Sequence, residues 1–307
     1  MNIRNLILKT PLLRELFFFV RHKKVNKKRI DRKIKDLKKE THYISDLIIS
    51  LTSYGERLSE LKYTLYSLIN QSIHAEKIIV NLAEKDFDLL TSELLNFQKY
   101  NVEFVKTDDY RSYKKLIPTL ENYPNKFIVT ADDDLYYPKD WLKHIWSDHL
   151  LYPDCIICKL TKTIKFNNKK LCSYNEMNYN KTAKNASFRN FILSGGGTLF
   201  PPNSLYKDIA DVTLFQKLCP YADDIWDWFM AILQKTKIVQ TKNPYINVCY
   251  VNPYREYGIS DGKTLTQINV DQNKNDEQFI NMMAYYGIST ESLENYLEEK
   301  NENLIAN

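Results

Sequence analysis

From about residue 45 onward, short apolar runs alternate with amphipathic segments. Residues 47–51, 78–82, 102–105 and 127–129 are short, apolar and rich in β-branched side chains, which predicts four buried strands. Between them, Leu61, Leu65 and Leu68 recur at helical spacing with Ser59 placed to cap, and a short helix is expected around Leu116. A polar helix is expected at 88–98. Alternating strands and helices predict an α/β fold with a mostly parallel sheet and right-handed crossovers.

The second half of the chain is less regular. Pro138 stands at a plausible first position of a helix, and residues 155–160 and 163–166 resemble a strand pair. The polar stretch 167–190 predicts a loop over the candidate ligand site that the motifs below define. Apolar residues at helical spacing predict a helix at 221–235, and two further helices are expected near 278–286 and 293–299.

The fourth run ends abruptly in Asp132, Asp133 and Asp134. Adjacent carboxylates repel each other, and a divalent cation would relieve that repulsion. Mg²⁺ and Mn²⁺ prefer hard oxygen ligands such as carboxylates and phosphates. In open α/β sheets, ligands bind at the carboxyl ends of the strands, where these residues are expected. The alternative is a solvated acidic turn.

Two later motifs add candidate chemistry. Gly195, Gly196 and Gly197 would let a ligand approach the backbone closely, although a bulge at the start of a strand is an equally compatible interpretation. Asp223 and Asp224 open the helix predicted at 221–235, where carboxylates can also cap the helix and complement its dipole. The sequence contains no glycine-rich dinucleotide fingerprint and no P-loop.

Charge separates the amino-terminal segment from the rest. The 307 residues carry a net charge of +5, whereas residues 1–40 hold 14 Lys+Arg against 4 Asp+Glu, a net +10, which leaves −5 for the remainder. An apolar stretch at 12–20 precedes the basic run, and it is too short and too charged to span a bilayer. No small-residue cleavage site follows it.

An apolar patch beside a polybasic run is typical of an interfacial helix on anionic lipid. The alternative is a solvated basic helix that packs on the body of the protein or on a partner. The aromatic residues are clustered rather than interleaved with the charge, which disfavours nucleic acid. We therefore predict a membrane-surface segment at 1–40, a main domain at 45–255 and a helical extension at 256–307, located in the cytoplasm on the inner face of the cell membrane.

The five cysteines are an odd number and fit reduced thiols in a cytoplasmic protein. Cys155 and Cys158 form a C-x-x-C pair, but on a strand these positions face opposite sides of the sheet. A shared metal or a disulfide between them is therefore not expected.

The order of these motifs resembles the A-type (GT-A) fold of nucleotide-sugar glycosyltransferases, and most closely the bacterial family 2-like enzymes that build capsule or lipopolysaccharide glycans. The resemblance covers about residues 45–250 and is carried by residues 50–57, 111–115, 130–138, 195–204 and 219–228. It implies transfer of a sugar from a nucleoside-diphosphate sugar, with a UDP-sugar favoured, to a hydroxyl of a glycan or lipid-linked acceptor. The reaction would be metal-dependent, with Mn²⁺ or Mg²⁺, and inverting.

The resemblance also implies roles for individual residues. In the donor site, the nucleotide sugar would meet residues of both halves of the chain, which are Thr52, Ser53, Tyr54, Arg57, Asp108, Asp109, Asp132, Asp133, Gly195, Gly196 and Gly197. Asp132 and Asp134 would hold the metal, and Asp224, supported by Asp223, would be the catalytic base. The pair is Asp-Asp where Glu-Asp is common, and the last histidine is His149, so no late histidine can serve as a metal ligand.

The chemistry of the residues agrees with this hypothesis. A metal across the diphosphate would stabilise the leaving group, and a carboxylate could take the proton of the acceptor hydroxyl. Lys114 and Lys115 could assist the phosphates, the alternative being a solvated helix face. Two other functions are open: a metal-dependent nucleotidyltransferase, and a non-catalytic scaffold of a glycan assembly complex.

Overall fold

The computed structural model describes residues 10–21, 25–182, 184–242, 248–256 and 274–298. Within these ranges the strands are β1 (Ile44–Thr52), β2 (Ala75–Ala83), β3 (Val102–Thr107), β4 (Phe127–Thr130), β5 (Leu135–Tyr136), β6 (Ile156–Thr163), β7 (Phe166–Asn167), β8 (Lys170–Leu171), β9 (Lys184–Ser187), β10 (Asn190–Phe200), β11 (Ile238–Gln240) and β12 (Cys249–Tyr250).

The α-helices of the same ranges are α1 (Pro11–Arg21), α2 (Lys27–Lys35), α3 (Leu58–Ile69), α4 (Glu84–Phe87), α5 (Ser92–Leu95), α6 (Ile117–Asn122), α7 (Trp141–Leu151), α8 (Val212–Leu218), α9 (Asp223–Leu233), α10 (Pro253–Glu256), α11 (Lys274–Tyr285) and α12 (Thr290–Leu297). Short 3₁₀ turns join several of them, including Gly55–Arg57, Asn96–Tyr100 and Arg111–Lys115.

Eight strands form the central sheet in the order β3-β2-β1-β4-β10-β6-β11-β9. Strands β1, β2, β3, β4, β6 and β11 share one direction, and β9 and β10 run opposite to them. The predicted α/β class with a mostly parallel sheet is therefore confirmed. All four strands predicted in the first half are present, each extended by one to several residues.

The sheet separates two apolar clusters, and side chains of β4, β6, β10 and β11 alternate between them. Ile128 and Phe200 face the cluster that contains α9, whereas Val129 and Leu199 face the cluster that contains Trp141. Burial on both faces explains why β1, β2 and β4 are nearly continuous apolar runs. Cys158 belongs to the first cluster and Cys155 packs against the second, as predicted, and all five cysteines are free.

The prediction of one helix at 88–98 is wrong. Residues 84–100 form α4, α5 and the 3₁₀ turn Asn96–Tyr100 in its place. The Thr91 side chain accepts a hydrogen bond from the Leu94 N–H at 3.3 Å, which begins a new helix inside the predicted one.

Two predicted helix starts are also wrong. Ser59 lies inside α3 and donates from its Oγ to the Glu56 carbonyl at 2.7 Å, because the 3₁₀ turn Gly55–Arg57 already begins the helical path. Pro138 precedes α7, and its carbonyl accepts from the Trp141 N–H at 2.9 Å, so the helix begins at Trp141.

In the second half, one strand replaces the predicted pair, because β6 runs unbroken from Ile156 to Thr163 between β10 and β11. The predicted loop over 167–190 contains the β7–β8 hairpin and strand β9. The glycine triplet lies inside β10, where its pairing with β6 shifts between Leu193 and Thr198. The bulge is thus in the middle of a strand rather than at its start.

The two carboxy-terminal helices are present near their predicted positions. Phe279 of α11 and Leu293 of α12 are buried in the same cluster as Trp228 and Phe229 of α9. Residues 274–298 therefore complete the core on one face of the sheet, while the division of the chain into three parts stays a prediction. Within the described ranges, no helix is long and apolar enough to cross a membrane.

Candidate active site

The loop after β1 and the acidic triplet after β4 meet at the carboxyl ends of these two neighbouring strands. Strands β1 and β4 are parallel, with Ser50 opposite Thr130, so the residues after both strands leave the sheet side by side. Ser53 donates from its Oγ to Asp133 Oδ2 at 2.5 Å, and the Ala131 N–H donates to the Ser50 carbonyl at 2.9 Å. The acidic triplet and the loop after β1 are thus one structural unit.

Arg57 neutralises two members of the triplet. One of its terminal nitrogens lies 2.6 Å from Asp133 Oδ1 and also contacts Asp134 Oδ2. Burial raises the pKa of Asp134 to about 7 and also raises the pKa of Asp133, while Arg57 opposes both effects. The alternative of a solvated acidic turn is wrong for these two residues, whose side chains are 5% and 13% exposed.

Asp132 is the most open member of the triplet, with 31% of its side chain exposed. Its backbone N–H donates to the Tyr137 hydroxyl at 2.7 Å, which fixes the backbone just after β4. A Cβ on Gly195 would lie only 2.9 Å from Asp132 Oδ2, so glycine at this position leaves room for the carboxylate. Asp132 is therefore the triplet carboxylate best placed to meet a ligand.

Lys115 connects the triplet to the second acidic motif. Its ammonium lies 2.8 Å from Asp223 Oδ2 and 3.4 Å from Asp132 Oδ1, and it donates to Ser194 Oγ at 2.6 Å. Burial opposes the charge, but the carboxylates of Asp223, Asp132 and Asp224 raise the pKa of Lys115 well above its ordinary value. The ammonium is therefore held charged at the centre of the site.

The alternative of a solvated helix face is wrong for both lysines. Lys114 and Lys115 are buried on the 3₁₀ turn Arg111–Lys115. Lys114 pairs with Asp109 at 2.5 Å rather than with the central cluster.

Asp223 and Asp224 occupy the first turn of α9, and neither caps the helix. Asp223 pairs with Lys115, whereas Asp224 Oδ1 accepts from the Ser194 N–H at 2.9 Å. Burial and the neighbouring Asp223 raise the pKa of Asp224 to about 6, and Lys115 and the Ser194 hydrogen bonds limit the rise. A half-buried carboxylate with a pKa near neutrality is suited to act as a general base.

Sequence reasoning missed four residues around this pair. Ser194 bridges Lys115 and Asp224, and Asp227 lies buried one turn after the pair, where burial and the two neighbouring acids raise its pKa well above its ordinary value. Lys162 lies 3.6 Å from the centroid of the Tyr174 ring and donates to the Tyr174 carbonyl. Asp227 could have been found from its spacing on the helix; the other three come from distant segments and carry no local signal.

The remaining predicted residues of the donor site follow the carboxyl ends of β1 and β3, on the same side of the sheet. Thr52 donates from its Oγ1 to the Asn81 carbonyl at 2.8 Å, and Tyr54 is 54% exposed beside the Arg57 guanidinium. After β3, Asp108 accepts from the Tyr110 hydroxyl at 2.9 Å, and the charges of Lys114 and Lys85 keep the pKa of Asp109 below its usual range despite partial burial. Their contact with a nucleotide stays a prediction.

Only one glycine of the triplet lies next to the acids. Gly196 packs against Leu160 and its carbonyl accepts from Trp141 Nε1 at 2.8 Å, and a Cβ on Gly197 would lie 2.5 Å from the Trp141 ring. Gly197 also has a φ of +107°, a backbone conformation that residues with a side chain rarely adopt. Packing thus accounts for Gly196 and Gly197, and their contact with a ligand stays a prediction.

In the described parts of the chain, no three His, Cys, Asp or Glu side chains are grouped so that they could hold a metal by themselves. A Mg²⁺ or Mn²⁺ ion usually takes one or two carboxylates and completes its shell with water and phosphate. The open carboxylate of Asp132 fits that requirement. Asp134, the second predicted metal ligand, is engaged with Arg57, and the pair would have to open before it could bind a metal.

No protein-family model matches the chain, and no curated protein matches it. Solved structures with similar folds include two of S. aureus TarS. TarS 1-349 gives a TM-score of 0.44 and 14% identity over 83% of this chain and 76% of that one. The second gives 0.42 and 13% over 77% and 43%.

A third similar structure is 4-diphosphocytidyl-2C-methyl-D-erythritolsynthase from Anaerococcus prevotii DSM 20548. It gives a TM-score of 0.44 and 14% identity over 71% of this chain and 94% of that chain. All three TM-scores lie below 0.5.

Proposed function

We propose that this protein is a glycosyltransferase that moves a sugar from a nucleoside-diphosphate sugar to a hydroxyl of a glycan or lipid-linked acceptor. The observation that carries the proposal is the bridge made by Lys115, which joins an open carboxylate, Asp132, to the acidic pair at the start of α9. One centre would thus hold a group for the departing phosphates and a group for the attacking hydroxyl.

In the proposed reaction, Asp224 accepts the proton of the acceptor hydroxyl. The hydroxyl oxygen forms a bond to the anomeric carbon of the sugar, and the bond between that carbon and the diphosphate oxygen breaks. The nucleoside diphosphate leaves with the electron pair. Attack from the face opposite the leaving group would invert the configuration at the anomeric carbon.

The protein supports both ends of this transfer. The Ser194 N–H fixes the carboxylate of Asp224, and Lys115 keeps Asp223 paired, so one acid of the pair is left to take a proton. Asp132 would hold Mn²⁺ or Mg²⁺, with Asp134 joining if its pair with Arg57 opens. The bound ion would neutralise charge on the diphosphate oxygens. A role in surface polysaccharide biosynthesis, as the sequence resemblance implies, belongs to the same proposal.

Product analysis tests the proposal against the nucleotidyltransferase hypothesis. Purified protein is incubated with Mn²⁺ and a panel of UDP- and GDP-sugars, with and without short glycan acceptors. The proposal predicts release of a nucleoside diphosphate and a product heavier than the acceptor by one sugar. A parallel incubation supplies nucleoside triphosphates and sugar phosphates, and release of pyrophosphate there would favour the nucleotidyltransferase. No turnover in either incubation would favour the scaffold.

A further inference from the structure

Helix α1 presents an apolar face to solvent. Leu12, Leu16 and Val20 are spaced four residues apart and are 84%, 60% and 59% exposed, and Leu13 beside them is 45% exposed. Residues at this spacing lie on one side of a helix. A row of large apolar side chains on a surface helix is costly in water and marks an interaction surface.

The next helix provides exposed positive charge. Only Ile30 of α2 is buried. The exposed basic side chains of α2 and the turn after it are Lys28, Arg29, Arg32, Lys33, Lys35, Lys38 and Lys39. An apolar face with adjacent lysines and arginines is complementary to a bilayer whose headgroups are anionic.

Both helices contact the same short segment of the body, residues 248–256. The Phe18 ring packs edge-on against Tyr254 with centroids 5.1 Å apart, and the Tyr254 hydroxyl donates to the Glu15 carboxylate. Ile30 of α2 packs with Tyr63, Tyr66 and Val251. Tyr254 and Val251 belong to the short segment 248–256.

That segment is paired with the chain that follows the acidic triplet. Strand β12 is antiparallel to β5, with Tyr250 opposite Leu135, and the Val251 N–H donates to the Asp134 carbonyl at 2.8 Å. Helix α2 therefore contacts a residue that is hydrogen-bonded to the acidic triplet, and α1 contacts Tyr254, three residues further along the same segment.

We propose that α1 and α2 form a docking surface for an anionic bilayer, defined here by Leu12, Leu13, Leu16 and Val20 together with Lys28, Arg29, Arg32 and Lys33. The leucines and the valine enter the boundary between headgroups and acyl chains, and the basic side chains contact the headgroups. Docking in this way brings the candidate active site to the bilayer surface, where a lipid-linked acceptor would be held.

Co-sedimentation of the full chain with vesicles tests this surface. We expect binding to vesicles of phosphatidylglycerol and phosphatidylcholine in low salt, and little binding to phosphatidylcholine alone. The double variant Leu12→Glu/Leu16→Glu should lower the partition coefficient at least about tenfold, because two apolar side chains are lost from the interface. The double variant Leu150→Glu/Leu151→Glu is the matched control, since these α7 residues are 65% and 59% exposed and lie outside the docking surface.

A second pair of measurements separates charge from apolar insertion. Lys28→Glu/Arg32→Glu should weaken binding by roughly fivefold or more for each basic side chain that is lost. Raising the salt to 1 M should weaken the binding of the unaltered protein, because the screening length falls to about 3 Å. Circular dichroism of each variant checks that the fold is retained.

Three results would overturn the proposal. The unaltered protein could fail to sediment with anionic vesicles in low salt. The α7 control could lose as much binding as the α1 variant. In the third, light scattering would show a dimer for the unaltered protein and a monomer for the α1 variant, and neither would bind vesicles. The apolar face of α1 would then be an interface between copies of the chain. None of these readouts depends on transferase activity.

Discussion

The two acidic motifs of the site are neutralised in opposite ways. In the triplet, the more buried members Asp133 and Asp134 share the Arg57 guanidinium, and the open member Asp132 has only a long contact to Lys115. In the pair, the first member, Asp223, forms an ion pair with Lys115 at 2.8 Å. The second member, Asp224, accepts a hydrogen bond from the Ser194 backbone N–H.

The difference separates two chemical tasks. A carboxylate that is open and only weakly paired can meet a cation or a phosphate-bound metal, as Asp132 can. A carboxylate that is half-buried, fixed by an N–H group and not directly ion-paired keeps a raised pKa and can accept a proton, as Asp224 can. Lys115 stands between the two motifs, so each prediction below changes one side of that arrangement.

Removing the central charge should have the largest effect. Lys115→Met keeps most of the side-chain volume but leaves Asp132 and Asp223 without their ammonium partner. Breaking a buried ion pair from one side typically costs about 3–5 kcal/mol of unfolding free energy. Urea denaturation at pH 7 measures the loss.

Lys114→Met is the matched control for that variant, because the neighbouring lysine pairs with Asp109, whose side chain is 41% exposed. A smaller loss is expected for it. Equal losses in both variants would show that the central ion pairs contribute nothing beyond the burial of the lysine stems.

The open carboxylate should control metal-dependent binding. Asp132→Asn should lower the affinity for UDP in the presence of Mn²⁺ at least about tenfold, and EDTA should abolish the Mn²⁺-dependent part for the unaltered protein. Asp134→Asn should also weaken binding if the pair with Arg57 opens around the ion. Isothermal titration calorimetry measures both, and undiminished Mn²⁺-dependent affinity in Asp132→Asn would remove this residue from the metal site.

The pair should set the pH dependence of transfer. Asp224 must be ionised to accept a proton, so the rate should rise with pH through about 6 and level off above it. One pH unit below that value, transfer should be about tenfold slower than on the plateau. Donor affinity measured over the same range is the control, and a rate that is flat from pH 5 to 8 at saturating donor would contradict this assignment.

Two neighbouring glycines should show the smallest effects and should separate binding from packing. Gly195→Ala brings a methyl group against the Asp132 carboxylate, so donor affinity should fall by about a factor of a few with little loss of stability. Gly196→Ala clashes with Leu160 in the core, so the melting temperature should fall instead. The reverse outcome would place Gly196, not Gly195, at the ligand.

The first half of the fold could be predicted from sequence because burial on both faces leaves a direct signal. Strands β1 to β4 are short apolar runs that end in polar residues, and their parallel arrangement follows from the helices between them. The segment 84–100 could not be predicted in the same way, since a threonine cap divides it into short helices without changing its polar composition.

The site could be predicted only in part. Adjacent carboxylates after a strand and at a helix start are visible in the sequence, so the acidic residues were found. The cations that neutralise them were harder to place. Lys115 reaches Ser194, 79 residues away, and its burial depends on partners that no local pattern connects. Long-range ion pairs of this kind determine which acid stays open and which is fixed.

The central claim is that Asp224 takes the proton of the acceptor and Asp223 does not. The most direct test is the transfer rate of Asp224→Asn and Asp223→Asn at saturating donor and Mn²⁺, with donor affinity measured on the same samples. An asparagine keeps the shape of the side chain but cannot accept the proton. The account predicts a rate lower by about 10²–10⁴-fold in Asp224→Asn with unchanged donor affinity, and a smaller loss in Asp223→Asn. A near-normal rate in Asp224→Asn, or a loss confined to Asp223→Asn, would contradict it.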